Sequence, residues 1–410
     1  MSSAKKKTIL FVDDEPNILS GLKRMLRSMR KSMTFYFAEN GHDALTVMAT
    51  ENIDIIVSDM RMPGMDGATL LTTVQQQYPQ AIRIMLTGHA DEKAIMRTIG
   101  VVHQFLAKPA EPATLKRVLE RAAALQNLIN DGHLKQLVSG IGSLPSMPET
   151  YARLQRTLQR SDSSLAEVAH IIEQDLAMSA KILQLVNSAF FGLYNHIESP
   201  FRAVNLLGMD TVKALVLGIG VFSEIQAEQS KLFAINDLWT HSMTTAAFAR
   251  GIAACESNDN ELIDNAFIAG LLHDIGKLLL FSQMRSSYEK AVGYALETPS
   301  TMDNAEQKIF GACHGDIGGY LIGLWGLPGP VVESITFHHR LENYPEPSFC
   351  PAVIVHAADC IYYRLHPDSY PGKPPQLNEP VLQQIGMIDH QASWTELCRE
   401  ILTRGEDNDQ

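Results

Sequence analysis

Over its first third the chain alternates short apolar runs with amphipathic segments. "TILFV" (8–12), "TFYFA" (34–38), "IDIIVS" (53–58), "IRIMLT" (82–87) and "HQFLA" (103–107) read as five strands. The segments between them place apolar residues at helical spacing. In the first, Ile18, Leu22, Met25, Leu26 and Met29 share one face behind Pro16, a residue suited to a helix start. Five β-α units of this length predict an α/β doubly wound, five-stranded parallel sheet of the flavodoxin-like kind.

From residue 148 onward the period changes. Leu154 and Leu158, then Val168, Ile171, Ile172 and Leu176, then Ile182, Leu183, Leu185 and Val186 follow helical spacing. "AVNLLGMDTVKALVLGIGVF" (203–222) is apolar almost throughout and reads as buried. An all-α second domain is expected. The joint begins with a stripe of Leu115, Val118, Leu119, Ala122 and Leu125 and breaks at "NDG" (130–132). The organisation is therefore a tail (1–7), a first domain (8–125), a linker helix (126–138), a helical domain (139–360), a C-terminal helical extension (361–404) and a disordered tail (405–410). The extension reads as helix, Gly386, helix. Its acids and two late arginines favour a helical hairpin over a DNA-reading element.

Composition narrows this picture. With 410 residues the chain exceeds one typical core, and 45% hydrophobic residues suffice for two or three. A net charge of −12 argues against nucleic acid as a general partner. Five cysteines, at 255, 313, 350, 360 and 398, form no CxxC pair, which fits a reducing compartment. The first apolar run, "ILFV", is four residues long, too short for a signal peptide, and no run approaches the length of a membrane helix. A soluble cytoplasmic protein without a membrane partner is the expectation.

Ligands of such sheets bind beyond the carboxyl ends of the strands. There the chain puts Asp13 and Asp14, Asp59, Thr87 and Lys108. Three converging carboxylates call for a cation, and hard oxygen ligands suit Mg²⁺. Mg²⁺ with Lys108 would neutralise a phosphoryl group arriving on Asp59, and Thr87 could hydrogen-bond it. In "MRMPGMDG", Gly64 and Gly67 are expected to supply unusual dihedrals near the site. The constellation "VDDE", "SDMRMPGMDG", "LTG" and "FLAKP" resembles the receiver domain of two-component response regulators. The resemblance implies Asp59 as phosphoacceptor, Asp13 and Asp14 as Mg²⁺ ligands, Thr87 as switch hydroxyl, Phe105 as switch aromatic and Lys108 as phosphate contact. It also implies a sensor histidine kinase or phosphotransfer protein as partner.

The helical domain carries its own series. His241, His273 with Asp274 in "GLLHDIGKLL", His314, His338 with His339, and His356 with Asp359 are far apart in sequence. Packed helices could bring them together, and imidazole with carboxylate suits a divalent transition metal. A metal-free polar network is the other reading. The pattern resembles the HD phosphohydrolase superfamily, and "SLPSMPETYARL", "IIEQDLAMSAKILQLVNSAFFG" and "AVNLLGMDTVKALVL" resemble its HDOD subgroup more specifically. The resemblance implies a regulatory module acting on an unknown output protein. The alternative is a metal-dependent phosphodiesterase, like the related HD-GYP family. For it, His241, His273, Asp274, His314, His338, His339 and Asp359 fill the ligand positions and Lys277 could contact a substrate phosphate. Against it, the loop after His339 keeps only Tyr344–Pro345 of the Gly-Tyr-Pro stretch. His356 lies outside the family pattern and is expected to pack. Phosphorylation is expected to alter domain contact or self-association as a homodimer, through the last receiver helix and the joint.

Overall fold

The computed structural model describes residues 6–87, 98, 101–129, 131–139, 145–146, 148–160, 162–187, 197, 199–213, 223–224, 235–298, 300–345 and 347–408. The helix expected between the fourth and fifth strands, most of the 139–148 loop and the 214–222 part of the apolar run lie outside them.

Five strands, β1 (Lys7–Val12), β2 (Met33–Ala38), β3 (Ile55–Asp59), β4 (Ile82–Thr87) and β5 (Gln104–Ala107), form one parallel sheet in the order β2-β1-β3-β4-β5. Ile9, Phe11, Ile55, Val57 and Ile84 face one layer, while Leu10, Val12, Ile56 and Met85 face the other. Burial on both faces is why these strands read as continuous apolar runs. The third strand starts later than expected. Asp54 turns back instead, and its carboxylate accepts from Thr8 N and Oγ1 at 2.8 and 2.9 Å.

Helices α1 (Pro16–Met25), α2 (Gly41–Thr50), α3 (Gly67–Gln77) and α4 (Pro112–Leu125) flank the sheet. Asn40 and Asp66 cap α2 and α3 by accepting from Asp43 N and Thr69 N. Gly64 has a φ of +78°, as expected of a turn glycine. Gly67 does not, and its role is close approach: a Cβ there would lie 2.0 Å from the Asp59 carbonyl oxygen.

Beyond the sheet the described residues are mostly helical: α5 (Gly132–Ser139), α6 (Pro148–Gln159), α7 (Leu165–Glu173), α8 (Leu176–Val186), α9 (Pro200–Lys213), α10 (Ile235–Glu256), α11 (Asn260–Leu272), α12 (Ile275–Glu297), α13 (Met302–Phe310), α14 (His314–Leu324), α15 (Gly329–Phe337) and α16 (Pro351–Leu365). A two-residue parallel pairing of Pro145–Ser146 with Ser223–Glu224 interrupts them. Two further helices, α17 (Glu379–Gln384) and α18 (Gln391–Asn408), flank Gly386, whose φ is +75°. The tail expected to be disordered from 405 instead continues α18 to Asn408. The segment Asn260–Glu297 is apolar and long enough by composition to cross a membrane, but 78% of its most apolar window is buried in the fold.

The sheet domain docks on the helical one through its β4–β5 edge and α4. Gly323 on α14 receives Leu125, with a Cβ there only 2.4 Å from the leucine side chain. Gln104 Nε2 donates to Gly323 O at 3.1 Å, and Arg121 donates to Leu327 O. A buried polar staple completes the joint. The Arg83 guanidinium donates to the carbonyls of Pro79, Ala81, Val101 and Ser139. His103 Nδ1 accepts from Arg83 N at 2.9 Å, so Nε2 carries the proton and donates to Ser139 O at 2.9 Å. Burial pushes Arg83 down to about 10, although carbonyl oxygens satisfy its donors.

Burial, then the Arg83 charge, hold His103 well below the ordinary 6.5. His103 is neutral when folded and protonates more readily when unfolded. Its stabilisation is present above about pH 6.5 and is lost as pH falls. The His103→Asn chain should therefore lose stability less steeply between about pH 7 and 5, by up to about 1.4 kcal/mol per pH unit. Denaturant melts across that range check this, and equal slopes in both proteins would count against it.

Candidate functional site

The sheet domain gathers its acids at the carboxyl ends of β1 and β3. Ligand atoms of Asp13, Asp14 and Asp59 lie within 4.8 Å of one another. Lys108, just past β5, sits between them with Nζ 2.7 Å from both Asp13 Oδ2 and Asp59 Oδ1. Burial raises the Asp59 carboxyl above its usual range; Lys108 opposes this and Asp13 adds to it. The donor set is all oxygen and anionic, which fits a hard divalent ion such as Mg²⁺. Thr87 ends β4, and its carbonyl accepts from Lys108 N at 2.8 Å. Phe105 is buried beside Met85, its partner in the β4–β5 register.

The helical domain brings all seven expected residues into one buried centre. His273 caps the end of α11 and Asp274 precedes α12, so the pair occupies the corner between two helices. The Asp274 side chain makes no cap bond and is free for the centre. Gly276 permits this corner to press on α14, since a Cβ would lie 2.0 Å from His314 O. His241 comes from within α10, His314 opens α14, His338 and His339 follow α15, and Asp359 lies within α16.

Two ligand groups result: His241, His273 and Asp359, and Asp274, His314, His338 and His339. Asp274 links them. Its Oδ2 lies 3.4 Å from both His241 Nε2 and His273 Nε2, while its Oδ1 lies 3.3 Å from His314 Nε2. The imidazoles are oriented from behind. His273 Nδ1 donates to Gly270 O at 2.7 Å and His338 Nδ1 to Ile335 O at 2.8 Å. His314 Nδ1 lies 2.6 Å from Glu306 Oε2. In these three rings the Nε2 atom is thus left to face inward.

Nε2 atoms meet at 3.0 Å between His241 and His273 and at 3.2 Å between His314 and His338. Asp274 Oδ1 and both Asp359 oxygens are buried without an aligned donor. Lone pairs crowded in this way repel unless a cation lies among them. Part of that demand falls on protons. Burial opposes charge on His273, but Asp274 and Asp359 outweigh it and raise its pKa to about 10. Burial and neighbouring imidazoles push His338 well down. The same nitrogen and oxygen donors fit a divalent transition metal.

Lys277 donates to Asp274 Oδ2 at 2.7 Å and lies over the Tyr370 ring at 5.8 Å. His356 packs behind the centre, with Nδ1 donating to His338 O at 2.6 Å and Nε2 accepting from Asn378 N at 3.0 Å. Tyr344 is turned away, its hydroxyl 3.0 Å from Glu333. Sequence reasoning missed Glu306, Tyr370, Arg83 and His103. For the last two the available signal was a charged or polar group inside an apolar run.

The pattern of the response regulator receiver domain matches residues 9–120, and that of the HDOD domain matches residues 144–341. The chain is similar to an uncharacterized protein of Treponema pallidum (strain Nichols), 30% identical over 209 residues covering 50% of this chain and 39% of that protein. It is also similar to the DNA-binding transcriptional regulator NtrC of Salmonella typhimurium, 27% identical over 223 residues covering 48% of this chain and 46% of that protein. The chain spans under half the length of these curated relatives. Among solved structures, the signal receiver domain of an HD domain-containing protein from Pseudomonas fluorescens Pf-5 is 35% identical, covers 30% of this chain and 98% of that chain, and has a TM-score of 0.29. With a receiver domain and an HDOD domain in one polypeptide, the chain belongs to the response regulators that carry an HDOD domain behind the receiver.

Proposed function

We propose that this response regulator takes a phosphoryl group on Asp59 from a sensor histidine kinase or phosphotransfer protein, and that the HDOD domain answers as a protein-interaction module. The observation that carries the first half is the Asp13/Asp14/Asp59 pocket with Lys108 bridging two of its carboxylates. Asp13, Asp14 and Asp59 would hold Mg²⁺, which when bound supplies charge neutralisation for the incoming phosphoryl oxygens. Lys108 is already in reach of Asp59, and Thr87 offers its hydroxyl from the end of β4.

A phosphoryl group adds about −1.5 to −2 charge beside Asp59. The strands that end at Thr87 and carry Phe105 also carry the staple to the helical domain. Arg83 lies four residues before Thr87 and His103 two before Phe105, about 13 Å and 7 Å along the strands. A rearrangement of Thr87 and Phe105 therefore acts on the docking edge directly. Because Leu125, Gln104 and Arg83 touch the helical side themselves, a flexible insertion at 130–132 would not by itself separate the domains.

In the HDOD domain the reading is a divalent-metal centre that shapes the module. His241, His273 and Asp359, with Asp274, His314, His338 and His339, would hold the ion. When bound, it would supply Lewis-acid polarisation. The Lys277 ammonium is committed to Asp274, which favours binding and structure over phosphodiester turnover.

Three outcomes follow from these roles. With Mg²⁺ and a small-molecule phosphodonor, wild type should gain one base-labile phosphoryl group per chain by intact-mass measurement, and Asp59→Asn should gain none on the receiver. Metal-loaded protein should leave cyclic di-GMP uncleaved by chromatographic assay; cleavage that vanishes in the His273→Ala/Asp274→Ala chain would instead establish the hydrolase. In hydrogen exchange, phosphorylation should change protection of α5 and α14, and Gly323→Leu should abolish that response while Asp59 is still phosphorylated. Unchanged protection of both helices in wild type would sink the coupling.

A further inference from the structure

His314 differs from the other inward-facing imidazoles in what stands behind it. His273 and His338 each donate to a carbonyl three residues earlier in their own helix. His241 Nδ1 has only a long 3.5 Å contact with Thr245 Oγ1. His314 alone among the four is backed by a carboxylate, and that carboxylate comes from a different helix. Glu306 Oε2 accepts from His314 N at 2.7 Å and lies 2.6 Å from its Nδ1.

The sequence between them makes this geometry. Glu306 lies in α13, and Gly311, with a φ of +72°, ends that helix in the left-handed region. The chain then reverses so that His314 opens α14 beside the glutamate. Glu306 is 0% exposed, and its Oε1 has no hydrogen-bond partner. A fully buried carboxylate is costly unless it answers a positive charge. With Asp274 and Asp359 it makes three buried acids around the centre, against the single ammonium of Lys277. With all the imidazoles neutral, as ligands to an ion must be, the two remaining negative charges match one divalent ion.

We propose that Glu306 is a positioning residue of the metal centre. It fixes His314 with the proton on Nδ1 and the lone pair of Nε2 toward Asp274, and it strengthens that nitrogen as a donor. The Asp274, His314, His338 and His339 group thereby becomes the tighter half of the centre. This inference rests on the metal reading proposed above.

The test uses the full chain, made metal-free and titrated with Zn²⁺ or Co²⁺. Glu306→Gln keeps the shape and an acceptor oxygen but removes the charge. Its dissociation constant for the tight ion should rise about ten- to a hundredfold, as expected for the loss of a ligand-supporting carboxylate. The visible absorption of the Co²⁺ form should shift, while the melting temperature of the metal-free protein should stay close to wild type. Glu306→Asp should recover part of the affinity. Equal affinity and an unchanged Co²⁺ spectrum in Glu306→Gln would overturn the role of Glu306 alone. Failure of wild type itself to bind either ion would overturn the metal reading and this inference with it.

Discussion

Asp274 is a carboxylate buried away from solvent, and the helical domain is arranged around it. A buried ionised carboxylate is tolerated only among cations and donors. Here one oxygen accepts from Lys277 and faces one imidazole pair, while the other faces a second pair without an aligned donor. Supplying those partners requires residues from α10, α11, α14, α15 and the helix start at α12 to converge. Burial works to raise the Asp274 pKa, and His273, Lys277 and His241 overcome it and hold the carboxyl well below the usual range. The packing of five helices and the charge state of one side chain are thus a single problem.

The same constraint runs through the joint between domains. Arg83 is a buried cation, and it is satisfied by four carbonyls rather than by an acid. Carbonyls belong to backbone, so this solution ties the guanidinium to particular loop conformations. A movement of β4 must either carry those loops along or break good hydrogen bonds. That is a stiffer connection than a tether at 130–132 would provide, and the proposed coupling to α14 therefore needs no rigid linker.

Much of this was legible in the chain. The five strands and their order of function were visible because strands buried on both faces leave unbroken apolar runs, and the acids at their ends break those runs abruptly. The seven HD residues were visible as a motif series. What the chain hid were partners with no local signature. Glu306 sits in "NAEQKIF", an ordinary amphipathic helix, and only the reversal at Gly311 turns it toward His314. Helix and strand ends moved by a residue or two where a side chain such as Asp54 offered the backbone a competing bond. The tail beyond 404 looked too polar to fold, yet it extends a helix already anchored by Trp394 and Cys398.

A rule of local inconsistency would have found more. Arg83 interrupts "IRIMLT", His103 precedes "QFLA", and Lys181 stands in "AMSAKILQLV"; each is a polar group where the pattern demands an apolar one. All three are buried, and all three lie at or near the contact between receiver and helical domain: Arg83 and His103 in the Ser139 staple, Lys181 over the ring of Trp325 at 4.9 Å. Burial lowers Lys181 to about 7, so its charge is held at a cost. A chain that only needed to pack two domains together would do so more cheaply with leucine. Placing three costly cationic or polar groups at one contact makes its strength depend on charge and hydrogen bonding more than an apolar seam would, and the proposed coupling to Asp59 draws on that dependence.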